Sequence, residues 1–306
     1  MRQLRSTVRI AALVGCGVLA AALHSAAQEL EPRAYSASPV GANFVAAILS
    51  RSAGDVVTDP TLPITDVSAR IGSFALGYGR TFDLFGRQAL ATAALPYAWG
   101  NAEGNVGEDR RRITRSGLAD LRAKLSVNLY GNPAMSPQEF ARITRGVLVG
   151  ASFTVSAPTG QYDPTRLVNL GTNRWAFKPE VGVSVPVGRF DFDLYTGVVF
   201  FTDNGSYYPG TFARAQDPIS TVQLHGSYTF RPGLWLALDG TWYGGGASRV
   251  NDGPPTARLS NSRVGATLSV PIGRRQSVKA NYSTGASVRA GQDFNTFALA
   301  WQFLWF

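Results

Sequence analysis

The sequence has little of the chemistry that most enzymes and metal proteins use. It contains one cysteine, Cys16, and two histidines, of which only His225 lies beyond the first 30 residues. These are too few for an internal disulfide or for the usual cysteine and histidine ligands of zinc. The motifs G-x-S-x-G, G-K-[ST] and H-E-x-x-H do not occur. We therefore expect no cofactor, no metal site and no enzyme activity.

Long apolar runs are also missing. The apolar stretch at residues 10–23 is shorter than the ~20 residues that a membrane-spanning helix needs. Basic residues precede it and small residues follow it, at Arg2, Arg5, Arg9, Ser25, Ala26 and Ala27. This arrangement predicts a secretory signal peptide over residues 1–27, with residues 28–306 as the exported protein. A membrane role for that protein must then come from strands.

Cys16 leaves one alternative open within the leader. Residues 13–16, Leu-Val-Gly-Cys, resemble the cleavage box of a lipoprotein, which would attach a lipid to the cysteine. Only a short apolar run precedes this box, so a cysteine inside a discarded segment is the favoured interpretation. The exported protein would then contain no cysteine.

The charged residues are scattered. The chain has 29 basic and 20 acidic residues, a net charge of +9, and the basic residues form no patch with interleaved aromatics. Nucleic acid is therefore not an expected partner. One basic cluster stands out, at Arg110, Arg111, Arg112 and Arg115. It has two interpretations: a grip on phosphate groups of the surrounding lipid, or a solvated charged loop, which is favoured.

Apolar and polar residues alternate with a period of two over most of the remaining chain. Val222, Leu224 and Tyr228 share one face of a segment, whereas Gln223 and His225 share the other. This pattern is typical of strands with one apolar and one polar face. It predicts twelve strands, at residues 43–53, 67–82, 87–97, 117–130, 144–157, 176–187, 190–202, 219–230, 234–244, 261–272, 276–287 and 294–306.

The connections between these strands alternate in length. Long polar connections fall at residues 54–66, 98–116, 158–174, 202–218 and 245–260. Tight connections fall at residues 83–87, 187–189, 231–233 and 273–275. This alternation, an even strand count and aromatic residues near strand ends favour a closed antiparallel transmembrane β-barrel over a soluble sandwich. Closure is required because lipid does not tolerate unpaired strand edges. Short turns would face the periplasm and long loops the outside.

Three details refine this prediction. The connection 131–143 is longer than the other periplasmic ones and is expected to contain a short helical turn. Pro96 lies within the third strand, and proline cannot donate to a ladder, so we expect a strand end or a bulge there. The last strand ends in Phe306, an aromatic terminus that predicts recognition by the barrel-assembly machinery. The expected location is the cell outer membrane, with its lipid as a partner.

Several stretches of the chain share motifs with a known family. They are APTGQYD at 157–163, NLGTNRW at 169–175, KPE at 178–180, YGRTFDLFG at 78–86, FFTDN at 200–204 and GLWL at 233–236. In these motifs the chain resembles the outer-membrane family first named for a meta-cleavage pathway of phenol degradation. The resemblance extends over residues 35–306. It implies a barrel and a role in passing small compounds, including aromatic ones.

The expected function is a passive channel for small solutes, selective through the width and charge of its lumen. Twelve strands enclose less space than the general porins do, so the pore is expected to be restricted or plugged. A non-transporting structural or lipid-binding barrel is the alternative. Candidate residues of the lumen or its constriction are Arg122, Lys124, Arg174, Lys178, Glu180, Asp191, Asp193, His225, Asp239, Arg263 and Lys279. We expect the carboxylates among them to pair with the cations.

A catalytic role for residues on the polar, inward-facing side of the strands is less favoured. A lipase histidine would have to face lipid, but the phase of His225 places it in the lumen. Asp191 and Asp193 have a glycosidase-like separation of ~7 Å, yet paired lumen charges are the simpler interpretation. The segment 158–180 predicts either a substrate-selecting constriction or a loop that pins the rim, and the second is favoured.

Overall fold

The computed structural model describes residues 30–57, 64–106 and 108–306, so the predicted signal peptide and Cys16 lie outside the described residues. Within these ranges no helix has the length and apolarity to cross a membrane. The strands are β1 (Asn43–Val57), β2 (Ile64–Leu84), β3 (Arg87–Val106), β4 (Asp109–Leu118), β5 (Leu121–Tyr130), β6 (Leu148–Ala157), β7 (Ala176–Val187), β8 (Phe190–Phe201), β9 (Asn204–Tyr207), β10 (Phe212–Gln216), β11 (Ile219–Arg231), β12 (Leu234–Gly245), β13 (Ser248–Val250), β14 (Leu259–Ile272), β15 (Gln276–Ser287) and β16 (Gly291–Trp305).

The main sheet closes on itself and confirms the predicted barrel. All its neighbours pair antiparallel, β1 pairs with both β2 and β16, and the β2–β3 pairing completes the ring. β4 and β5 both pair with β3 and form one wall strand, interrupted at Ala119 and Asp120. The wall therefore has twelve strands. Pro96 lies beside this interruption, and its carbonyl accepts from the Ala119 amide. The irregularity expected at Pro96 thus falls on the partner strand, while β3 itself continues.

The apolar face of the wall points outward and the polar face inward. On β11, Leu224 is 59 % exposed, whereas Gln223 and His225 are each 3 % exposed. A water-soluble domain of this size would bury the leucine and expose the glutamine. The reversed arrangement places hydrocarbon-compatible side chains against lipid, as in outer-membrane barrels.

Aromatic side chains gather at both ends of the lipid-facing surface. Near the extracellular end, Trp175 stacks on Phe177, with ring centroids 6.2 Å apart. At the periplasmic end, Trp305 stacks on Phe303 and also contacts Tyr78. Rings of this kind favour the boundary between hydrocarbon and water and set the height of the barrel in the membrane.

The periplasmic connections agree with the prediction, including the longer one. Glycines with positive φ, such as Gly86 and Gly188, form the tight turns. The connection 131–143 contains a single helical turn, α1 (Pro137–Phe140). Ser136 caps α1, and Glu139 returns a hydrogen bond to the Ser136 amide in a capping box.

The extracellular connections hold more strand than the sequence predicted. Residues 98–116 were expected to form a loop, but β3 and β4 continue through them as a paired hairpin. Parts of 202–218 and 245–260 form a separate three-stranded sheet of β9, β10 and β13. These strands lie beyond the lipid, so they lack the apolar outer face that revealed the others. The inner face of the β3–β4 hairpin packs on an apolar cluster of Val56, Val67, Ala69, Val168 and Phe294.

Candidate permeation path

The barrel interior is occupied by the chain that precedes β1. Residues 30–42, the N-terminal segment, enter from the periplasmic end of β1 and reach Gln223 on β11, whose side chain accepts from the Glu31 amide. The segment contains no strand residue. From Glu31 to Ser38 its hydrogen bonds to the wall involve inward-facing side chains of the barrel strands. This part is therefore held in the lumen by side chains, whereas residues 40–42 join it to the barrel through backbone hydrogen bonds with Thr81 and Met135.

Arg33 is the main polar anchor of the N-terminal segment. Its Nη2 lies 2.6 Å from both Asp191 Oδ2 and Thr229 Oγ1, and its Nε donates to Ser227 Oγ over 2.8 Å. The guanidinium also lies over the Trp235 ring, 4.7 Å from its centroid. Burial lowers the pKa of Arg33 to about 10, so it stays charged at neutral pH. Charge-assisted bonds of this kind are about twice as strong as neutral ones.

Tyr35 is the main apolar anchor, because its ring fills a pocket in the wall. The residue is 2 % exposed, and its ring packs edge-on against Tyr195 with centroids 5.1 Å apart. Gly150 and Gly182 form the floor. A Cβ added at either glycine would lie 2.2 or 2.5 Å from ring atoms of Tyr35. The two glycines therefore leave the space that the tyrosine occupies.

The Tyr35 hydroxyl joins a polar network in the wall. It donates to Glu180 Oε1 over 3.2 Å and lies 3.0 Å from Ser152 Oγ. Glu180 also receives Lys178 Nζ at 2.8 Å and Gln223 Nε2 at 3.2 Å. The Glu180 carboxylate thus accepts from Lys178 and Gln223 in the wall and from Tyr35 in the N-terminal segment. Removing the tyrosine hydroxyl leaves the carboxylate with one donor fewer.

Glu31 extends this contact to the next strand of the wall, β5. Its Oε2 lies 2.7 Å from Lys124 Nζ. The charge of Lys124 lowers the pKa of Glu31 to about 2. The pair therefore holds its full charge at any pH above about 4.5, the ordinary value for this carboxyl.

All eleven candidate lumen residues lie on the inner side of the described wall or its rim. Eight are buried: Arg174, Lys178, Glu180, Asp191, Asp193, His225, Asp239 and Arg263. Arg122, Lys124 and Lys279 are half-buried. The pairing is only in part what the sequence suggested. Lys178 does pair with Glu180, but Asp191 pairs with Arg33 and Arg145, and Lys124 pairs with Glu31.

His225 forms a closed pair with Asp239. Its Nδ1 lies 2.7 Å from Asp239 Oδ1, and the other carboxylate oxygen accepts from Thr267 Oγ1 over 2.6 Å. Asp193 accepts from Ser184 Oγ and from the Arg33 amide. Asp193 and Asp239 thus accept hydrogen bonds from neighbouring donors. This arrangement suits a lumen lining better than the acid–base catalysis of a glycosidase.

The loop at residues 158–175 lies at the extracellular end of the barrel and is held at both its ends. Asp120, 2 % exposed, accepts from the Gly160 amide and from both the amide and the hydroxyl of Thr172. Gly160 packs directly on Gly171, where a Cβ would meet the facing backbone at 2.7 Å. Asp120 thus clamps the two ends of the loop together, which favours the rim-pinning interpretation of this segment.

Two buried arginines lie beneath this loop. Arg174 donates to Gln216 Oε1 and covers the Phe201 ring, 4.2 Å from its centroid. Arg214 on β10 donates to Ser248 Oγ over 3.1 Å. Burial, together with the charge of Arg214, lowers the pKa of Arg174 to about 9. Two arginine side chains are therefore buried in the extracellular part of the barrel.

Sequence reasoning missed the residues that fill the lumen. Glu31, Arg33 and Tyr35 precede the first strand in a short stretch that contains Pro32 and Pro39, and Arg145 lies in a periplasmic connection. The available signal was the expectation that lumen carboxylates pair with cations. A buried carboxylate such as Asp191 requires a cation, and that cation can come from outside the strands.

Comparisons with known proteins agree with this architecture. A family model described as "Putative MetA-pathway of phenol degradation" matches residues 50–303. The chain belongs to this family. Comparison with curated protein sequences gave no match. Family membership confirms the resemblance seen in the sequence motifs and leaves the transported compound open.

Solved structures resemble the fold at low sequence identity. An outer membrane channel from Pseudomonas putida F1 is 20 % identical, with a TM-score of 0.75, covering 90 % of this chain and 100 % of that one. The transport unit of the autotransporter AIDA-I from Escherichia coli is 10 % identical, with a TM-score of 0.58, covering 95 % and 97 %. The β domain of the Bordetella autotransporter BrkA is 11 % identical, with a TM-score of 0.51, covering 87 % and 100 %. The family member described here therefore shares the fold of outer-membrane barrels.

Proposed function

We propose that this protein is a passive channel for small solutes in the outer membrane of a Gram-negative bacterium, closed while the N-terminal segment occupies the lumen. The observation that carries the proposal is the seating of Arg33 and Tyr35 inside a polar-lined barrel. The part from Glu31 to Ser38 contributes no strand and bonds to the wall through wall side chains, so it can leave without breaking a ladder. A purely structural barrel would have no need of a removable filling.

The proposed path follows the polar residues that the segment covers. Withdrawal of Arg33 exposes Asp191, Asp193 and the Trp235 face, and withdrawal of Tyr35 exposes Glu180. We propose that the eleven candidate residues line and narrow this path, and that selectivity comes from its width and charge. The family description, which names phenol degradation, supports small solutes that include aromatic ones. We propose no catalytic role.

Export and assembly complete the proposal. Residues 1–27 would be removed as a signal peptide, and the strand that ends beside Phe306 would be recognised by the barrel-assembly machinery. Phe306 follows β16 and is 63 % exposed, so it is accessible for such a contact. The mass of the protein purified from outer membranes tests the cleavage site. A mass that includes residues 1–27 contradicts it.

A reversible crosslink tests the channel proposal directly. The Cγ of Tyr35 lies 2.8 Å from the position of a Cβ on Gly150. Cysteines at both positions would have Cβ atoms within roughly 4.3 Å, inside the ~3.5–4.5 Å range of disulfides. The double variant Tyr35→Cys/Gly150→Cys therefore fixes the segment when oxidised and frees it when reduced. Cys16, in the leader, is the sole native cysteine.

We expect single-channel steps in planar lipid bilayers after reduction and few or none after oxidation. The single variant Gly150→Cys is the control, since it cannot crosslink and should not respond to the reductant. Equal conductance in both redox states would show that the segment does not gate the pore. A folded barrel that stays silent in both states favours the alternative, a structural or lipid-binding barrel without transport.

A further inference from the structure

A basic groove lies on the lipid-facing surface at the extracellular boundary, where β16, β1, β2, β3 and β4 run side by side. Its volume is about 620 Å³. The lower part is apolar and formed by Leu49, Leu299 and Trp99, whereas the upper part is formed by arginines. This groove is on the outer face of the wall, separate from the lumen and its N-terminal segment.

Three arginines from three strands form a ladder above the aromatic boundary. Arg51 on β1 pairs in register with Gly72, which pairs with Trp99, so Arg51 stands at the level of the tryptophan. Arg70 pairs with Asn101, two residues farther out along β3, and Arg112 lies opposite Glu103, two residues farther again. Each step of two residues is ~7 Å along a strand. The ladder therefore rises from the hydrocarbon boundary into the headgroup region.

The floor of the groove depends on a glycine. A Cβ added at Gly72 would lie 2.4 Å from the indole of Trp99. The missing side chain lets the indole lie flat across β2 beside Arg51. This arrangement places an apolar surface directly below a guanidinium, which suits a ligand with a charged head and an apolar tail.

The three arginines are free to bind a ligand. Arg51, Arg70 and Arg112 are exposed, and none makes a hydrogen bond or ion pair with another described residue. Their neighbours differ, because Arg110 pairs with Glu103 and Arg111 pairs with Asp109. Unpaired guanidinium groups on a lipid-facing surface are costly unless an anion accompanies them.

We infer that this groove binds the phosphorylated headgroup of lipid A in the outer leaflet, with acyl chains packed on Leu49, Trp99 and Leu299. Arginine forms paired hydrogen bonds with phosphate oxygens, and a ladder of three matches a headgroup that carries two phosphates. The inference rests on the outer-membrane location of the barrel and does not require that the barrel transports a solute.

Native mass spectrometry of the detergent-purified protein tests the inference with three probes: bisphosphorylated lipid A, dephosphorylated lipid A and inorganic pyrophosphate. We expect the wild type to retain bisphosphorylated lipid A at least tenfold more tightly than either of the others. The variant Arg51→Gln/Arg70→Gln/Arg112→Gln should lose this preference by tenfold or more. Arg80→Gln is the matched control, because Arg80 is also exposed on β2 but lies at its periplasmic end.

Any one of three results overturns the inference. The first is a triple variant that keeps the wild-type affinity for bisphosphorylated lipid A. The second is equal binding of dephosphorylated lipid A by the wild type, which assigns the groove to acyl chains alone. The third is pyrophosphate binding as tight as that of lipid A, which indicates a site for free phosphate. If the triple variant does not fold, Arg51→Gln and Arg70→Gln are measured singly and should each weaken lipid A binding severalfold.

Discussion

The Tyr35 pocket gives the sharpest quantitative test of the lumen described above. Replacing Tyr35 by alanine removes a 2 % exposed ring from the space between Gly150, Gly182 and Tyr195. Truncation of a buried aromatic ring costs about 3–5 kcal/mol. Because the ring is buried only while the segment is seated, this cost falls on the seated state and shifts the equilibrium toward the unseated one.

The expected shift can be converted into a ratio. Each 1.4 kcal/mol changes an equilibrium constant about tenfold, so Tyr35→Ala should raise the unseated-to-seated ratio by roughly 100- to 4,000-fold. Tyr35→Phe keeps the ring and loses only the hydroxyl contacts with Glu180 and Ser152. That loss is worth about 1–2 kcal/mol, or roughly 5–30-fold. The two variants should therefore differ by at least several-fold in the same direction.

The assay is the open probability of single channels in planar bilayers at neutral pH. Tyr130→Ala is the control, since Tyr130 is 63 % exposed at the periplasmic end of β5 and faces away from the lumen. Wild type and Tyr130→Ala should behave alike, with Tyr35→Phe above them and Tyr35→Ala highest. If Tyr35→Ala opens no more often than Tyr35→Phe, ring burial does not hold the segment and the reasoning is refuted.

Three further predictions follow from the same contacts. Gly150→Ala and Gly182→Ala each place a methyl group inside the seated ring and should raise open probability, whereas Gly146→Ala, with open space around it, should not. Glu31 has a lowered pKa, so its ion pair stabilises the seated segment fully above about pH 4.5 and loses this effect as the pH falls toward 2. Glu31→Gln should therefore have a higher open probability than the wild type at pH 7. The difference between the two should shrink as the pH is lowered from about 4.5 to 2. Asp120→Ala removes the acceptor of three hydrogen bonds and should lower the free energy that holds the loop in place by about 3 kcal/mol or more. The measurement is proteolysis within residues 158–175, which should become faster. The barrel itself should keep its heat-modifiable mobility on gels.

The wall of the barrel was predictable because lipid imposes a simple rule on every strand. Leu224 and Val222 must face hydrocarbon while Gln223 and His225 face inward, so the alternation is visible in a single sequence. The hairpin within 98–116 obeys no such rule, since both its faces lie beyond the lipid. The sequence of these two strands therefore resembles that of a polar loop, and only their pairing in the structure identifies them as strands.

The filling of the lumen was not predictable for a different reason. Arg33 reaches Asp191 and Thr229 across 158 and 196 residues of sequence, and no local pattern records such a contact. The sequence indicated that carboxylates would need cations and that the pore would be restricted. It did not indicate that the cation comes from the chain before the first strand, because that stretch is short and interrupted by Pro32 and Pro39, unlike a wall strand.

The short connection between Tyr35 and β1 has a consequence for the timing of transport. Only seven residues lie between Tyr35 and Asn43, so the tyrosine of an unseated segment stays within about 28 Å of the first strand. A tether of this length keeps the ring near its pocket at an effective concentration in the millimolar range. Reclosure is then a fast intramolecular step, and the wild-type pore should flicker in brief bursts instead of remaining open.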